Sequence, residues 1–175
     1  KRTMKGRLVY PFLLAVVAGW LVSRQPSPGF QRIPTGRSLA PSWTMTDTEG
    51  RILNSGDLAG KIVVLNFWAT WCPPCRRELP DLEAFHTRHR DRGVVVLGAS
   101  IDAGGTNAVL GFLKGRSITY RQLMATPEVQ STFGIASIPS TWVIGKDGRV
   151  EARYLGALNQ DELSRAVAPL IPADR

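Results

Sequence analysis

The fold is decided by one stretch of the sequence, Ile62-Val63-Val64-Leu65-Asn66-Phe67-Trp68-Ala69-Thr70-Trp71-Cys72-Pro73-Pro74-Cys75. Its first seven residues are mostly apolar, β-branched or aromatic, which is typical of a strand buried on both faces. After the cysteines, Leu79, Leu82 and Phe85 recur at the three-residue spacing of an amphipathic helix. The stretch therefore predicts a buried strand, a short turn and a helix that begins at Cys72.

Cys72 and Cys75 are the only cysteines of the 175 residues. In a strand–turn–helix setting, a pair with two intervening residues indicates a thiol pair that closes into a disulfide and reopens. A zinc site needs four ligands, and His86 and His89 lie roughly 16–21 Å farther along the helix, at about 1.5 Å per residue. An inert disulfide and a metal shared between chains remain as weaker alternatives. The pattern favours redox catalysis by the cysteines themselves, with no cofactor and no metal.

The positive charge of the chain is concentrated at its N-terminus. The formal net charge is +8, but seven of the 22 basic residues lie in residues 1–37, which contain no acidic residue. Residues 38–175 therefore carry a net charge of only +1. A nearly neutral domain offers no surface that follows a phosphate backbone, so we expect no nucleic-acid partner.

Residues 1–24 have the pattern of a signal anchor. A basic segment, residues 1–7, precedes an uncharged and largely apolar run, residues 8–22. As a helix the run spans about 22 Å against a hydrocarbon core of roughly 30 Å, a gap that local thinning can close. A cleaved signal peptide is the alternative, but the apolar run continues beyond the small residues at 16–18. The flanking charge predicts a single-pass protein in the cytoplasmic membrane, with its domain on the periplasmic or outer side.

The rest of the chain predicts a linker and one α/β domain. Residues 25–37 contain three prolines and two glycines and predict an extended linker. Residues 38–175 suit a single domain. Residues 42–46 and 51–54 predict an N-terminal β-hairpin. The alternation β-α-β-α, followed by a hairpin and a helix, predicts a central mixed sheet with helices on both faces.

Three segments resemble one family of proteins. They are Asp57–Lys61, Asn66–Pro80 and Phe133–Thr141. With them, residues 38–175 resemble the membrane-tethered thioredoxin-like thiol–disulfide oxidoreductases of the ResA, TlpA and DsbE group, which act in cytochrome c maturation. The resemblance implies a thioredoxin-like fold and the reduction of protein disulfides, for example in apocytochrome c. It also implies a membrane thiol reductase of the DsbD or CcdA type as the electron donor.

The position of the two cysteines on the helix assigns their roles. Cys72 is expected at the N-cap, where its sulfur accepts the N–H of Cys75 and its thiolate is stabilised, so it is the predicted nucleophile. Cys75, one turn inside the helix, is the predicted resolving thiol. Pro73 and Pro74 contribute no N–H, which leaves fewer donors for the thiolate and predicts a stronger reductant.

A predicted substrate groove faces the cysteines. Pro139 matches the cis-proline of the family, although an ordinary trans proline is the alternative. A cis bond would leave the backbone of Ile138 free to pair with an extended substrate segment. Ser140 is expected to flank the groove, and it stands where the DsbE branch has an acidic residue, which favours ResA or TlpA. Trp71 and Pro73 complete the predicted substrate-binding residues.

Glu78 is the third catalytic candidate. Plain thioredoxins carry a buried aspartate at the position of Asn66, and an amide cannot take a proton at neutral pH. Glu78 lies about one helical turn after Cys75, matches a glutamate of the family, and is expected to take the proton of that thiol. Its alternative role is a solvent-exposed carboxylate that stabilises the helix dipole.

Two other functions remain open from the sequence. A disulfide oxidase or isomerase has the same fold and differs in its redox potential. A reductant of a copper-handling protein is the third possibility, although copper chaperones of this fold use a wider cysteine spacing and a histidine, and the chain has neither feature.

Overall fold

A computed structural model describes residues 30–171 of the chain. The strands in this part are β1 (Gln31–Ile33), β2 (Thr44–Asp47), β3 (Ile52–Asn54), β4 (Ile62–Trp68), β5 (Val94–Ser100), β6 (Arg121–Met124), β7 (Ser140–Ile144) and β8 (Val150–Leu155). The α-helices are α1 (Pro73–His89), α2 (Gly105–Leu113), α3 (Pro127–Thr132) and α4 (Gln160–Val167). Short 3-10 turns occupy Ser55–Leu58, Arg90–Arg92 and Ala168–Leu170.

The strands form one mixed sheet in the order β1-β8-β7-β4-β5-β6-β2-β3. Strand β5 is parallel to both β4 and β6, and the other neighbouring pairs are antiparallel. All seven residues of β4 are buried, because it has a strand on each side and a hydrophobic layer on each face. The predicted buried strand and the predicted α/β mixed sheet are confirmed.

Successive residues of β4 contribute to opposite cores. Ile62, Val64 and Trp68 pack in one cluster with the apolar residues of α1, α2 and α4. Val63, Leu65 and Phe67 pack in the other, with α3 and the hairpin of β2 and β3. Because full burial of one such side chain stabilises the fold by about 1.5–3 kcal/mol, this strand holds the two layers together. The prediction of helices on both faces is therefore confirmed.

The predicted N-terminal hairpin is strands β2 and β3. Gly50 forms its turn with a φ of 82°, a left-handed conformation that favours glycine. The carboxylate of Asp47 is buried and accepts hydrogen bonds from Arg51 at 2.8 Å and from Arg121 of β6 at 2.7 Å. This carboxylate ties the hairpin to the edge of the parallel strands.

Part of the expected linker is paired with the sheet. Strand β1 pairs antiparallel with β8, and the ring of Phe30 lies 5.6 Å from that of Tyr154. Thr35 Oγ1 donates to the carbonyl of Val150 at 2.9 Å, and Arg37 forms ion pairs across the same edge. The composition of residues 25–37 predicts an extended backbone. It does not predict a paired strand, because the three residues of β1 show no alternation of apolar and polar side chains.

The predicted signal anchor, residues 1–24, lies outside the described residues, as do residues 25–29. Across residues 30–171, no helix has the length and apolar character needed to cross a membrane.

Candidate active site

Cys72 and Cys75 form a disulfide at the first turn of α1. Cys72 is the N-cap residue, and its sulfur accepts the backbone N–H of Cys75 at 3.3 Å. Pro73 and Pro74 occupy the first two positions of the helix, where the fixed φ of proline suits a helix start. Cys72 is 4% exposed and Cys75 is fully buried, so Cys72 is the sulfur that solvent reaches first.

The two prolines limit the hydrogen bonds available to Cys72. The first N–H that α1 can offer is that of Cys75, because neither Pro73 nor Pro74 has one. In the reduced state, that N–H and the positive end of the helix dipole stabilise the thiolate. The thiolate is stabilised less than it would be if either proline position held a residue with a backbone N–H.

A carboxylate at the end of β5 fixes the turn that leads to Cys72. Asp102 accepts the N–H of Thr70 at 3.0 Å and its hydroxyl at 2.6 Å. The hydroxyl of Ser100 donates to the same carboxylate at 2.7 Å. Because β4 and β5 are parallel, their carboxyl ends meet at one edge of the sheet, and Asp102 holds that edge together.

The peptide bond between Ile138 and Pro139 is cis, as predicted. The carbonyl oxygen of Ile138 lies 3.9 Å from Cys72 Sγ, so this segment faces the disulfide. The carbonyl of Pro139 accepts the N–H of Gly156 at 2.9 Å, which fixes the segment to the end of β8.

Ser140 does not border the groove with its side chain, contrary to what its predicted role implied. It is fully buried, and its hydroxyl has no hydrogen-bond partner within the described residues. The reason is its place in β7, which lies between β4 and β8. The next residue of β7, Thr141, is buried as well, and its hydroxyl oxygen accepts the Asn66 amide N–H at 3.0 Å.

Glu78 is inside the protein, not in solvent. Its side chain is only 2% exposed, and Oε1 accepts the amide of Asn66 at 2.8 Å while Oε2 accepts the N–H of Leu158 at 3.1 Å. Burial raises the pKa of Glu78 to about 8. The alternative of a solvent-exposed carboxylate is therefore wrong, and the site contains an acid that titrates near neutral pH.

Comparison with known proteins identifies the family. Residues 37–153 match the AhpC/TSA family. The chain belongs to the AhpC/TSA family. It is 28% identical to thiol-disulfide oxidoreductase ResA of Bacillus thuringiensis (strain Al Hakam) over 174 residues, which cover 96% of this chain and 99% of the relative.

Two solved structures that resemble this fold are also thiol–disulfide proteins. The thiol:disulfide interchange protein of the thioredoxin family from Chlorobium tepidum TLS is 30% identical, with a TM-score of 0.71, over 80% of this chain and all of its own. A secreted disulfide oxidoreductase of Mycobacterium tuberculosis, homologous to DsbE of E. coli, is 26% identical, with a TM-score of 0.64, over 73% and 96% of the two chains. The predicted thioredoxin-like fold and thiol–disulfide oxidoreductase activity are confirmed.

The other predicted residues of this AhpC/TSA family member lie at different depths. Trp71 is 63% exposed and Pro73 is exposed, so both border the entrance to the disulfide. His86 and His89 lie farther along α1, and burial lowers the pKa of each imidazole. Within residues 30–171 no three potential metal ligands come together.

Sequence reasoning missed two groups that shape the site. Asp102 comes shortly after the carboxyl end of the buried strand β5. A polar residue at the carboxyl end of a parallel strand was the signal in the sequence that could have identified it. The N–H of Leu158 gave no signal, because a backbone donor that reaches Glu78 from 80 residues away depends on the packing of α4 against α1.

Proposed function

We propose that this protein is a membrane-tethered reductase of protein disulfides, acting on the periplasmic or outer side of the cytoplasmic membrane. One observation carries the reducing direction. Among residues 30–171, the sulfur of Cys72 has a single backbone donor, the N–H of Cys75 at 3.3 Å, because two prolines occupy the intervening positions. A less stabilised thiolate means a less stabilised dithiol, and such a dithiol gives up electrons more readily.

The chemistry proceeds in two exchanges. The Cys72 thiolate attacks one sulfur of the substrate disulfide, whose S–S bond breaks and releases one substrate thiolate. The Cys75 thiolate then attacks Cys72 Sγ of the mixed disulfide and expels the second substrate thiolate. Two electrons pass to the substrate, and the disulfide of Cys72 and Cys75 is restored.

Glu78 is proposed to take the proton of Cys75 for the second exchange. Residues three apart on a helix share a face, with Cβ atoms about 5–6 Å apart. Because burial raises the pKa of Glu78 to about 8, its carboxylate is a stronger base than that of an ordinary glutamate and accepts a thiol proton more readily. The proton stays inside the protein because both side chains are buried.

The substrate is proposed to be an extended protein segment beside the disulfide. The backbone of Ile138 faces Cys72, and Trp71 and Pro73 border the same entrance. Apocytochrome c as a substrate, and a membrane thiol reductase as the electron donor, are proposals that rest on the family resemblance. The tether in residues 1–24 is a proposal that rests on the basic segment and the apolar run that follows it.

The oxidase alternative has one observation in its favour. Arg76 and Arg77 follow Cys75 directly, and their charges favour the Cys72 thiolate, which would raise the redox potential. Both side chains are exposed to water, however, which weakens their effect on the sulfur, whereas a backbone N–H acts on it by direct contact. The lack of further backbone donors at Cys72 therefore outweighs the two exposed charges.

Equilibration with glutathione redox buffers tests the direction. A reductase is expected near the thioredoxin potential of about −270 mV, whereas a value above roughly −180 mV would identify an oxidase or isomerase. Trapping with Cys75→Ser tests the substrate class, because the mixed disulfide then persists and the captured protein can be identified by mass spectrometry.

A further inference from the structure

Three arginines lie beside the active site, and two of them contact one aromatic ring. The guanidinium carbons of Arg116 and Arg76 lie 4.0 and 5.2 Å from the centre of the half-buried ring of Phe112. With Arg77 and Pro73 they line an open cavity of about 360 Å³, which we call the arginine basin. Since Pro73 directly follows Cys72, the basin adjoins the sulfur that meets the substrate.

The basin has no counter-charge of its own. In the described part of the chain, none of its three arginines forms an ion pair with a carboxylate, whereas Arg37 and Arg51 each pair with two. The two guanidinium groups on Phe112 lie within one Debye length of each other, about 10 Å at 0.1 M salt, and repel. This concentration of charge is local, because residues 38–175 carry a net charge of only +1.

Helix stability does not explain the basin. Arg76 and Arg77 lie at the fourth and fifth positions of α1, near the positive end of its dipole, where cations are unfavourable. An anion bound between the arginines would relieve both the repulsion among them and their unfavourable position on the helix.

Arg116 is fixed in a geometry that suits a carboxylate. Its guanidinium stacks on Phe112 and donates to the backbone carbonyl of the same residue. Stacking holds the guanidinium plane in place and leaves other N–H groups free. Guanidinium groups bind carboxylates through two parallel hydrogen bonds, which adds specificity to charge attraction.

We propose that the arginine basin binds an acidic segment of the protein whose disulfide is reduced, with an aspartate or glutamate a few residues from the reacting cysteine. The inference rests on the proposed function and adds the substrate's charge to it. An extended peptide advances about 3.3 Å per residue, so a carboxylate two to four residues from a cysteine bonded to Cys72 can lie roughly 7–13 Å from it, and the basin begins at Pro73, the residue after Cys72. Nucleic acid fits less well, because the rest of the domain is nearly neutral.

The test uses the full-length reduced protein in a nonionic detergent and peptides that share one intramolecular disulfide. The peptides carry glutamate, glutamine or lysine at positions two to four residues from the cysteine. At low salt we expect the second-order rate constant for oxidation of the reduced protein by the glutamate peptide, in a single turnover, to exceed that for the lysine peptide at least tenfold. The ratio should fall towards one in the double variant Arg76→Gln/Arg116→Gln, and also for the wild type in 0.5 M salt.

Arg88→Gln is the matched control, since it removes the same kind of exposed charge at the far end of α1 and should keep the wild-type ratio. A ratio near one in the wild type would contradict the proposed binding of an acidic segment. So would a fall of the ratio in Arg88→Gln as large as that in the double variant. If that ratio is near one and the protein binds phosphatidylglycerol vesicles through the basin arginines, the occupant is a lipid headgroup and the inference is wrong. Failure to reduce any of the three peptides would instead refute the proposed function.

Discussion

The amide of Asn66 in β4 donates to the carboxylate of Glu78 in α1 across 2.8 Å, entirely inside the protein. The carbonyl oxygen of the same amide has no hydrogen-bond partner in the described part of the chain. Ionised Glu78 accepts the amide N–H, and protonated Glu78 would need an acceptor, which the amide offers after a half rotation. Asn66 can therefore serve Glu78 in either protonation state, which suits a group that receives and releases a proton.

The first prediction concerns the rate of resolution. Glu78→Gln keeps the shape of the side chain but removes the base, so attack by Cys75 on the mixed disulfide should slow about 100-fold at pH 7. The initial attack by Cys72 should change far less. Stopped-flow measurement of both steps distinguishes them, and Glu83→Gln, at a half-buried carboxylate farther along α1, is the control. If Glu78→Gln keeps the wild-type rate of each step from pH 5 to 8, Glu78 has no role in proton transfer.

The second prediction concerns stability and pH. Burial raises the folded-state pKa of Glu78 to about 8, above its unfolded value of about 4.5. Between these two pH values the folded protein therefore binds more protons than the unfolded chain. The free energy of unfolding should therefore fall as pH rises from about 4.5 to 8, by at most about 1.4 kcal/mol per pH unit from this group. Urea unfolding of the oxidised protein avoids thiol titration. Glu78→Gln should remove this part of the pH dependence, and an unchanged slope would show that Glu78 ionises normally.

The third prediction concerns the two thiols. In the reduced protein at pH 7, iodoacetamide should modify Cys72 before Cys75, because Cys72 is at the N-cap and only Cys75 is fully buried. Peptide mapping by mass spectrometry after short exposure measures the order. Modification of Cys75 first would reverse the assigned roles.

The fourth prediction concerns the tether. If residues 1–24 form a retained anchor, the full-length protein should stay in membranes through alkaline carbonate washing, and a chain that begins at Phe30 should appear in the supernatant with its redox activity. A mature N-terminus found after residue 18 in cells would show cleavage and contradict the anchor.

The sequence was most informative where local chemistry determines the structure. The buried strand β4, the N-cap at Cys72 and the turn at Gly50 follow from hydrophobic pattern, helix capping and backbone conformation, all of which are local. The position of Ser140 was not accessible in this way, because its burial depends on the strands that flank β7. Similarly, Asp102 acquires its role only when β5 lies beside β4 and brings it to Thr70.

The last prediction follows from β1, which the sequence placed within a linker. A chain that begins at Ser38 loses the pairing of β1 with β8, the contact of Phe30 with Tyr154 and the hydrogen bond from Thr35 to the Val150 carbonyl. Its free energy of unfolding should be about 2 kcal/mol lower than that of a chain beginning at Phe30, from lost apolar burial and backbone hydrogen bonds.

Loss of β1 would also expose β8 as an edge strand, so the shorter chain should aggregate more readily. Urea unfolding of both chains in the oxidised state measures the difference, and Phe30→Ala in the longer chain isolates the aromatic contact. Equal stability of the two chains would mean that β1 rests on the sheet without supporting it. A domain boundary at residue 38 would then be sufficient, and residues 30–37 would serve as a spacer, as their composition alone suggests.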